Sequence, residues 1–524
     1  MEEKFNDRRV RFIVLGIIAV LFVATRLYKL DTVPFGPDGL HIDEAEAAYD
    51  AVCIRDWGVD QFLVKFPPYF RGYGGGQNAL YTYLAVIVLK FLPMSTFSFR
   101  LVAVLCAIPA FFSLYDLSYR LFQRWSYAVI SILLMTIFPV YLMSEHWGLE
   151  CYLFLSLVII SMDFLVRAVQ ESKLRCFVLS GVFWGISLYT YAISWPVIPI
   201  FLFMALVYLI YVHNVYLSQV ISLGIPTILF GIPLFIQLLV MTEIIAPFSL
   251  PFMDFFPTDF FRVSEMSLSN IPYNIMHSSY ALLVQDGLIY NAVPQFGTIY
   301  YVSIPFMLIG GVHAVFNTYK AIRARQMNCW YFIVMFYLVG RFITLCIDDP
   351  NINRMNHIYF PLLLFTVLGI KWTIEKLKNQ LPIKISILFL YAISFLFFAG
   401  YYYSESGFEA DTAASIWRAP TQMGKTLAEL ENQVGEDYTI WVIANEGYDN
   451  PLMFALYTET SPYDYNKGKF RGCEMGVPNE LDLSGRTVYF IDEDLHHITD
   501  YLESVGFIVD RNRCPGFAIS VKIS

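Results

Sequence analysis

"ALYTYLAVIVLKFL", residues 79–92, decides the fold of this chain. If the stretch crosses a bilayer, every later loop changes side. If it does not, the charge pattern of the whole chain becomes consistent. A helix needs roughly 20 mostly apolar residues to cross a membrane. This run is shorter and contains Lys90. It is expected to lie in or on the membrane as a juxtamembrane helix, inside one large outer loop over 31–98.

The surrounding composition demands a membrane. The 524 residues are 57% hydrophobic and only 15% charged, with mean hydropathy +0.54. Soluble domains carry about 25% charged residues. Apolar runs recur along the chain, and about 11 spans are expected: 12–30, 99–121, 126–143, 152–169, 176–192, 195–212, 217–241, 298–318, 329–347, 355–372 and 383–403. The first run follows Arg8, Arg9 and Arg11 and has no small-residue cleavage site after it, so it is expected to be a retained signal anchor. The net charge of −9 argues against a nucleic-acid partner, because phosphate-binding domains are usually basic.

Basic residues in short loops stay cytoplasmic. Arg120 and Arg124, then Arg167, Lys173 and Arg175, then Lys320, Arg323 and Arg325, then Lys371, Lys376, Lys378 and Lys384 form four such loops. All four face inward only if 79–92 does not cross. Arg26, Lys29 and Arg100 fall on the outer side and run against the rule. The outer side then collects the first loop, "SEHWGLE" (144–150), a segment from about 242 to 297, "DDPNINRMNH" (348–357) and everything after about residue 403.

After residue 403 the composition changes. "YTIWVIA" (438–444), "RTVYFID" (486–492) and "FAISVKI" (517–523) read as strands, and 423–435 and 495–506 as helices ended by glycine. The expected domains are therefore 1–403, transmembrane, and 404–524, a small extracytoplasmic α/β domain. None of the eight cysteines forms a CxxC pair, which speaks against a zinc ribbon. Cys473 and Cys514 could pair outside the cell. His496 and His497 are adjacent on a helix and point in different directions, so an exposed polar helix start is expected there rather than a metal site.

The chemistry gathers on the outer side. "HIDEAEAAYD" (41–50) places Asp43 and Glu44 at a helix start, where carboxylates also serve simply as first-turn residues favoured by the helix dipole. Glu46 and Asp50, further along, are expected to meet solvent or neighbouring loops. "PPYFRGYGGGQNALYTYL" follows, with glycines close to Tyr69, Arg71 and Tyr73 that permit close backbone approach to a ligand. Glu150 ends "HWGLE" at the mouth of a span. Arg354 and His357 lie in "NRMNH" at the mouth of a later one, a place suited to phosphate recognition.

Taken in order, "HIDEAEAAYDA", "PPYFRGYGGGQNALYTYL", "FRLVAVLCAIPA", "HWGLE", "LYTYAISWP" and "PQFGTIYYVSIPFMLIGG" resemble the GT-C membrane glycosyltransferases, in the bacterial branch similar to protein O-mannosyltransferases and aminoarabinose transferases. The resemblance covers about residues 10–403. Asp43 and Glu44 match the family's Asp-Glu pair, and Glu150 its second-loop acid. His146 stands where relatives often carry arginine.

The resemblance implies an inverting transfer of a sugar from a polyprenyl-phosphate donor to a glycan, lipid or protein acceptor on the outer face of a cell membrane. Asp43 is expected to be the general base, with Glu44 and Glu150 positioning hydroxyls. Arg354 and His357, then Arg71 and His146, are expected to meet the donor phosphate, and Tyr69 and Tyr73 to position substrate. No cofactor is obligatory, and a divalent metal is left open. The competing reading is a non-catalytic lipid or polysaccharide transporter or assembly scaffold. A transporter should carry ionisable residues near mid-membrane, where Asp116 and Asp163 are the candidates.

Overall fold

The computed structural model describes residues 8–37, 39–72, 75–257, 266–284, 293–377, 380–413, 421–434, 438–444, 450–474, 481–514 and 517–522. Each expected span has a helix. They are α1 (Arg8–Leu27), α4 (Thr96–Phe122), α5 (Trp125–Ile137) continued by α6 (Pro139–Ser144), α7 (Glu150–Glu171), α8 (Leu174–Ser187), α9 (Ser194–Tyr211) and α10 (Leu217–Met241). After α11 (Ile271–Val284) come α12 (Ser303–Arg323), α13 (Trp330–Cys346), the short α14 (Ile352–Met355), α15 (Tyr359–Lys376) and α16 (Gln380–Tyr402). Among the described residues, seven helices are long and apolar enough to cross a membrane. The chain is a multi-pass membrane protein.

Between α1 and α4 lie α2 (Ile42–Trp57) and α3 (Leu80–Leu89). At a rise of 1.5 Å per residue, α3 is about 15 Å long. That is half of the roughly 30 Å hydrocarbon core, so α3 cannot cross. It is tied sideways instead. The Leu80 amide donates to the Tyr189 carbonyl at 3.1 Å, and the Tyr81 and Tyr83 hydroxyls donate to the Phe99 and Pro67 carbonyls.

Two of the three cations expected on the outer side, against the charge rule, are fully buried. Arg26 pairs with Glu145 at 2.6 Å and also donates to the Thr136 and Met135 carbonyls. Arg100 pairs with Glu44. Neutralised inside the protein, neither presents charge to the membrane surface. A topology test follows. A cysteine replacing exposed Gln123, just past α4, should react only with reagent added from the cytoplasm, and one replacing exposed Lys467 only from the other side. Reversed labelling, Gln123 from outside and Lys467 from the cytoplasm, would overturn the placement of 79–92.

Close packing at the far end of the bundle rests on two glycines. A Cβ on Gly310 of α12 would sit 1.8 Å from the Phe365 carbonyl oxygen, and one on Gly369 of α15 would sit 1.8 Å from that of Phe306. The two helix backbones touch there because neither residue has a side chain, a common device between membrane helices.

The C-terminal part contains a five-stranded sheet. Its strands lie in the order Phe470–Glu474, Thr439–Ala444, Thr487–Asp492, Phe517–Val521, Ile508–Cys514. The first three are mutually parallel, and the last two join antiparallel. Cys473 and Cys514 therefore stand on opposite edge strands. Four strand spacings separate them by about 19 Å, against the 7 Å or less between Cα atoms that a disulfide allows. The sheet shares a hydrophobic core with α2, in which Leu40, Tyr49 and Val52 cluster with Leu427, Phe454 and Phe490. Polar ties reinforce the seam. The Tyr49 hydroxyl donates to the Thr460 carbonyl, the Asn466 amide to the Gln61 carbonyl, and Arg55 pairs with Glu459 at 2.8 Å.

Candidate functional site

Helix α2 begins with a capping box. The His41 ring Nδ1 accepts from the Asp43 amide at 3.1 Å, and the Glu44 carboxylate accepts from the His41 amide at 2.8 Å. Burial lowers the His41 pKa, so its ring is neutral. This cap fixes two adjacent acids in opposite environments. One residue along a helix is a rotation of about 100°, and that rotation carries Asp43 outward and Glu44 inward.

Glu44 is fully buried and saturated. Its Oε1 accepts from Arg100 Nε at 2.8 Å and from the Gly148 amide at 2.6 Å. Its Oε2 accepts from Arg100 Nη2 at 2.7 Å as well as from the His41 amide. Arg100 in turn donates to the carbonyls of Leu30, Val33 and Gly39. A Cβ on Gly148 would lie 2.9 Å from Glu44 Oε1 and 2.5 Å from the Phe99 ring, so only glycine can bring its amide to that oxygen. The expectation that Glu44 positions a substrate hydroxyl is corrected: its oxygens are occupied by the protein.

Asp43 is the accessible member of the pair, with 38% of its side chain exposed. Its backbone carbonyl accepts from the Gln77 amide at 3.0 Å, which ties the second loop strand beneath it. Of the two settings expected for Glu46 and Asp50, solvent or neighbouring loops, the structure shows the second: both are buried, Asp50 Oδ1 accepts from the Gln61 amide at 2.9 Å, and Gln77 Nε2 lies 3.5 Å from Glu46 Oε2. Asp50 packs near Asp60, and burial beside that second carboxyl raises the Asp50 pKa well above the ordinary range. Burial raises Asp60 to about 6. Helix α2 packs on both its sides, against α3 and against the helix Asn450–Tyr457 of the C-terminal part.

The glycine loop folds back on itself. Tyr69–Phe70 pairs antiparallel with Gln77–Asn78, and the Tyr69 hydroxyl donates to the Gly75 carbonyl. A Cβ on Gly76, at φ +79°, would lie 2.4 Å from the Phe70 carbonyl oxygen. The close approach expected of these glycines is thus to their own hairpin. Tyr69 is buried and shapes the loop instead of positioning substrate. Tyr73 lies outside the described residues.

Of the four candidate phosphate ligands, two are corrected. His146 is buried between Tyr402, whose hydroxyl lies 2.9 Å from Nδ1, and the Thr25 carbonyl, 3.1 Å from Nε2. Since a carbonyl only accepts, Nε2 carries the proton and Nδ1 accepts from Tyr402. Burial, then Arg26 and Arg100, push the His146 pKa down to about 3. It cannot serve as a cation at neutral pH. His357 is fully buried against Phe154 and Phe336, with Nε2 beside Gly340, and not at the mouth of a span. A short turn of 3-10 helix at Asn356–Ile358 rotates it into the core.

Arg354 and Arg71 keep partly exposed side chains. Arg354 donates to the Asp348 carbonyl, and its neighbour Asn353 accepts from the Tyr152 hydroxyl at 2.6 Å. Glu150, the first residue of α7 and 9% exposed, lies two residues before Tyr152 and two after Gly148. A run of direct ties therefore leads from α2 through Glu44, Gly148 and Tyr152 to the Arg354 segment. Arg71 sits elsewhere on the first loop, its guanidinium 4.6 Å from the Phe256 ring centre and 5.5 Å from that of Phe62. Sequence reading missed His41, Arg100 and Asn353. Arg100 had left one signal, as a cation on the wrong side of the membrane.

Next to the loop, α8, α9 and α10 line an apolar cavity of about 550 Å³ that is open on one side, with Phe177, Leu188, Trp195, Leu202, Gly231 and Phe235 in its wall. The Trp195 ring stands 5.7 Å from that of Tyr69, so the cavity abuts the glycine hairpin. Asp116 and Asp163, the two carrier candidates of the transporter reading, are both paired. Asp116 bonds Arg120 and Arg167, and Asp163 bonds Arg167. This leaves no isolated mid-membrane carrier in that pair for a transporter reading. Among the described residues, no group of three or more His, Cys, Asp or Glu is arranged to hold a metal.

The fold matches a known architecture over 98% of the chain. The crystal structure of ArnT from Cupriavidus metallidurans bound to undecaprenyl phosphate matches with TM-score 0.55 and 10% identity, covering 98% of each chain. Its apo form matches with TM-score 0.55 and 12% identity, over 98% of this chain and 97% of that one. This is the GT-C fold. Residues 78–239 match the family model described as dolichyl-phosphate-mannose-protein mannosyltransferase. No curated protein matches. Within the GT-C fold the matched segment runs from the glycine hairpin through α10, so it holds Arg100, Gly148, Glu150 and the apolar cavity.

The His146 environment gives a prediction for pH. Its folded pKa of about 3 lies below the ordinary 6.5, so between these values the unfolded chain binds the extra proton. The contribution of neutral, buried His146 to stability is complete above about pH 6.5 and is lost as pH falls toward 3. His146→Gln should therefore show a shallower fall in thermal midpoint between pH 6.5 and 4.5 than the unmodified protein. Identical slopes would refute the buried neutral ring.

Proposed function

We propose that this chain moves a sugar from a polyprenyl-phosphate donor to an acceptor hydroxyl on the outer face of the membrane, with inversion at the anomeric carbon. One observation carries the reading. In a cluster of charged groups bound to one another inside the protein, the carboxylate of Asp43 is left facing outward at the start of a rigidly capped helix. The GT-C fold supports it, as does the undecaprenyl phosphate bound to the ArnT neighbour and the lipid-phosphate sugar in the name of the matched family.

Asp43 takes the proton of the acceptor hydroxyl. The freed oxygen attacks the anomeric carbon from the face opposite the phosphate, the bond from that carbon to the phosphate oxygen breaks, and the phosphate leaves with the electron pair. A general base makes a poor nucleophile competent, and a fixed cation stabilises the departing charge. Arg354 is assigned that second role, with Arg71 as an alternative at the loop side. Glu150 is assigned the orientation of sugar hydroxyls. The apolar cavity beside Tyr69 suits part of the polyprenyl tail, since an apolar chain gains from leaving water in proportion to the area buried. Acceptors of this chemistry include a glycan, a lipid or a protein.

The reading is tested with purified protein in lipid nanodiscs and a panel of synthetic polyprenyl-phosphate sugars, following release of polyprenyl phosphate. Arg354→Ala should lower kcat/KM roughly 10- to 150-fold, the worth of a hydrogen bond to a charged group. Arg354→Lys should restore only part, because lysine offers a point charge where arginine offers a planar fork. Undiminished turnover in the alanine variant would remove Arg354 from the site.

A further inference from the structure

Just beyond α10, residues 248–255 form a two-stranded antiparallel hairpin, with Phe248 opposite Phe255 and Leu250 opposite Met253. The sequence around it, "IIAPFSLPFMDFF" (244–256), contains one charged residue, Asp254. That charge is engaged. Asp254 Oδ2 accepts from the Lys65 amide at 2.9 Å, and the Asp254 amide donates to the Lys65 carbonyl at 2.9 Å. The hairpin is thereby clamped to residues 61–66 of the first outer loop.

Together the two pieces turn apolar side chains outward. Phe62, Leu63, Phe66, Phe248 and Leu250 are 36–40% exposed, and Phe252 at the turn is 65% exposed. Single exposed apolar residues are ordinary, but a joined patch of large ones marks an interaction surface. The backbone adds a second sign. Leu63 and Phe66 have φ of +65° and +38°, a region that bulky residues rarely occupy. The loop adopts it while holding these side chains away from the core.

The occupant follows from continuity. The exposed side of α10 carries Ile225, Ile228, Leu229, Ile232 and Phe235, the apolar flank of a helix long enough to span a membrane. Exposed Ile244 and Ile245 carry that flank from the end of α10 to the hairpin. We propose that the hairpin 248–255 and the loop 61–66 form a membrane-seated foot, inserted into the headgroup–acyl boundary of the adjacent leaflet, with lipid as its partner. Phe and Leu form the apolar face of segments that seat in that boundary. The foot fixes the height of the first outer loop above the bilayer. It also places Arg71, packed between Phe62 and Phe256, at the level of lipid phosphates. This proposal goes beyond the assigned reaction and does not depend on it.

The test uses the full chain in phosphatidylcholine–phosphatidylglycerol nanodiscs. A nitroxide is attached through Phe252→Cys and, separately, through Tyr463→Cys on the C-terminal part, where Tyr463 is 47% exposed. The signal of identically treated unmodified protein is subtracted. Collision with oxygen, which enters lipid, is compared with collision with a water-soluble nickel chelate. The oxygen-to-nickel ratio should be several-fold higher at 252 than at 463. Equal ratios would overturn the proposal. So would spin–spin broadening at 252 that grows with protein per disc, since a second copy of the chain would then cover the patch. Neither site is in the core, so the variants should fold; thermal midpoints of both labelled proteins check this.

Discussion

Asp43→Asn is expected to lower sugar transfer by roughly 10²–10⁴-fold, the usual contribution of a positioned general base, while leaving the thermal midpoint in place. The two halves of this expectation have separate causes. The asparagine keeps the shape of the side chain and can still fill its space, but it cannot accept a proton from the acceptor. The fold does not need the carboxylate. The structural bonds of residue 43 run through its backbone, from its amide to the His41 ring and from Gln77 to its carbonyl, and both survive the substitution. Turnover and thermal midpoint should be measured on the same preparation. Full activity in the variant would leave Asp43 as a helix-start residue and withdraw the assignment of the base. Glu150→Gln, made alongside, should cost less than Asp43→Asn, since orienting a hydroxyl does not require proton transfer.

The multi-pass helical membrane character was legible because it depends on quantities a sequence carries: run length and apolar content. The short helix α3 was legible for the same reason. What was hidden depends on contacts across long separations. Asp43 and Glu44 are equivalent in any local reading, and they are told apart by Arg100, 56 positions away. Arg26 and Arg100 looked like violations of the charge rule because the rule counts residues as exposed; burial beside Glu145 and Glu44 removes them from the count. His357 looked like a mouth residue because the local turn that rotates it inward leaves no periodic signature. Two strands of the C-terminal sheet escaped as well. Ile508–Cys514 reads "IVDRNRC", and its polar side chains suit an edge strand whose face is largely exposed. Edge strands commonly carry charge for that reason.

Glu44→Gln is expected to destabilise the protein by about 3–5 kcal/mol, the usual cost of breaking a buried ion pair from one side. The physical problem is Arg100. Its guanidinium is fully buried and still bonded to three carbonyls, but with a neutral amide opposite it becomes an uncompensated charge away from water. The amide nitrogen of glutamine also brings a donor where the carboxylate accepted from backbone amides, so at least one of the His41 and Gly148 contacts is weakened. Arg100→Met should fail in the complementary way, leaving a buried carboxylate and three carbonyls short of a donor. In the double variant neither charge remains, and the loss should be smaller than the sum of the two single losses, as expected for residues in direct contact. Thermal midpoints of the four proteins in one detergent measure this coupling. The contrast with Asp43→Asn is the decisive comparison, because the two acids are neighbours in sequence and are assigned opposite work. A Glu44→Gln protein as stable as the unmodified chain but unable to transfer sugar would reverse that assignment and move Glu44 from the frame of the site into its chemistry.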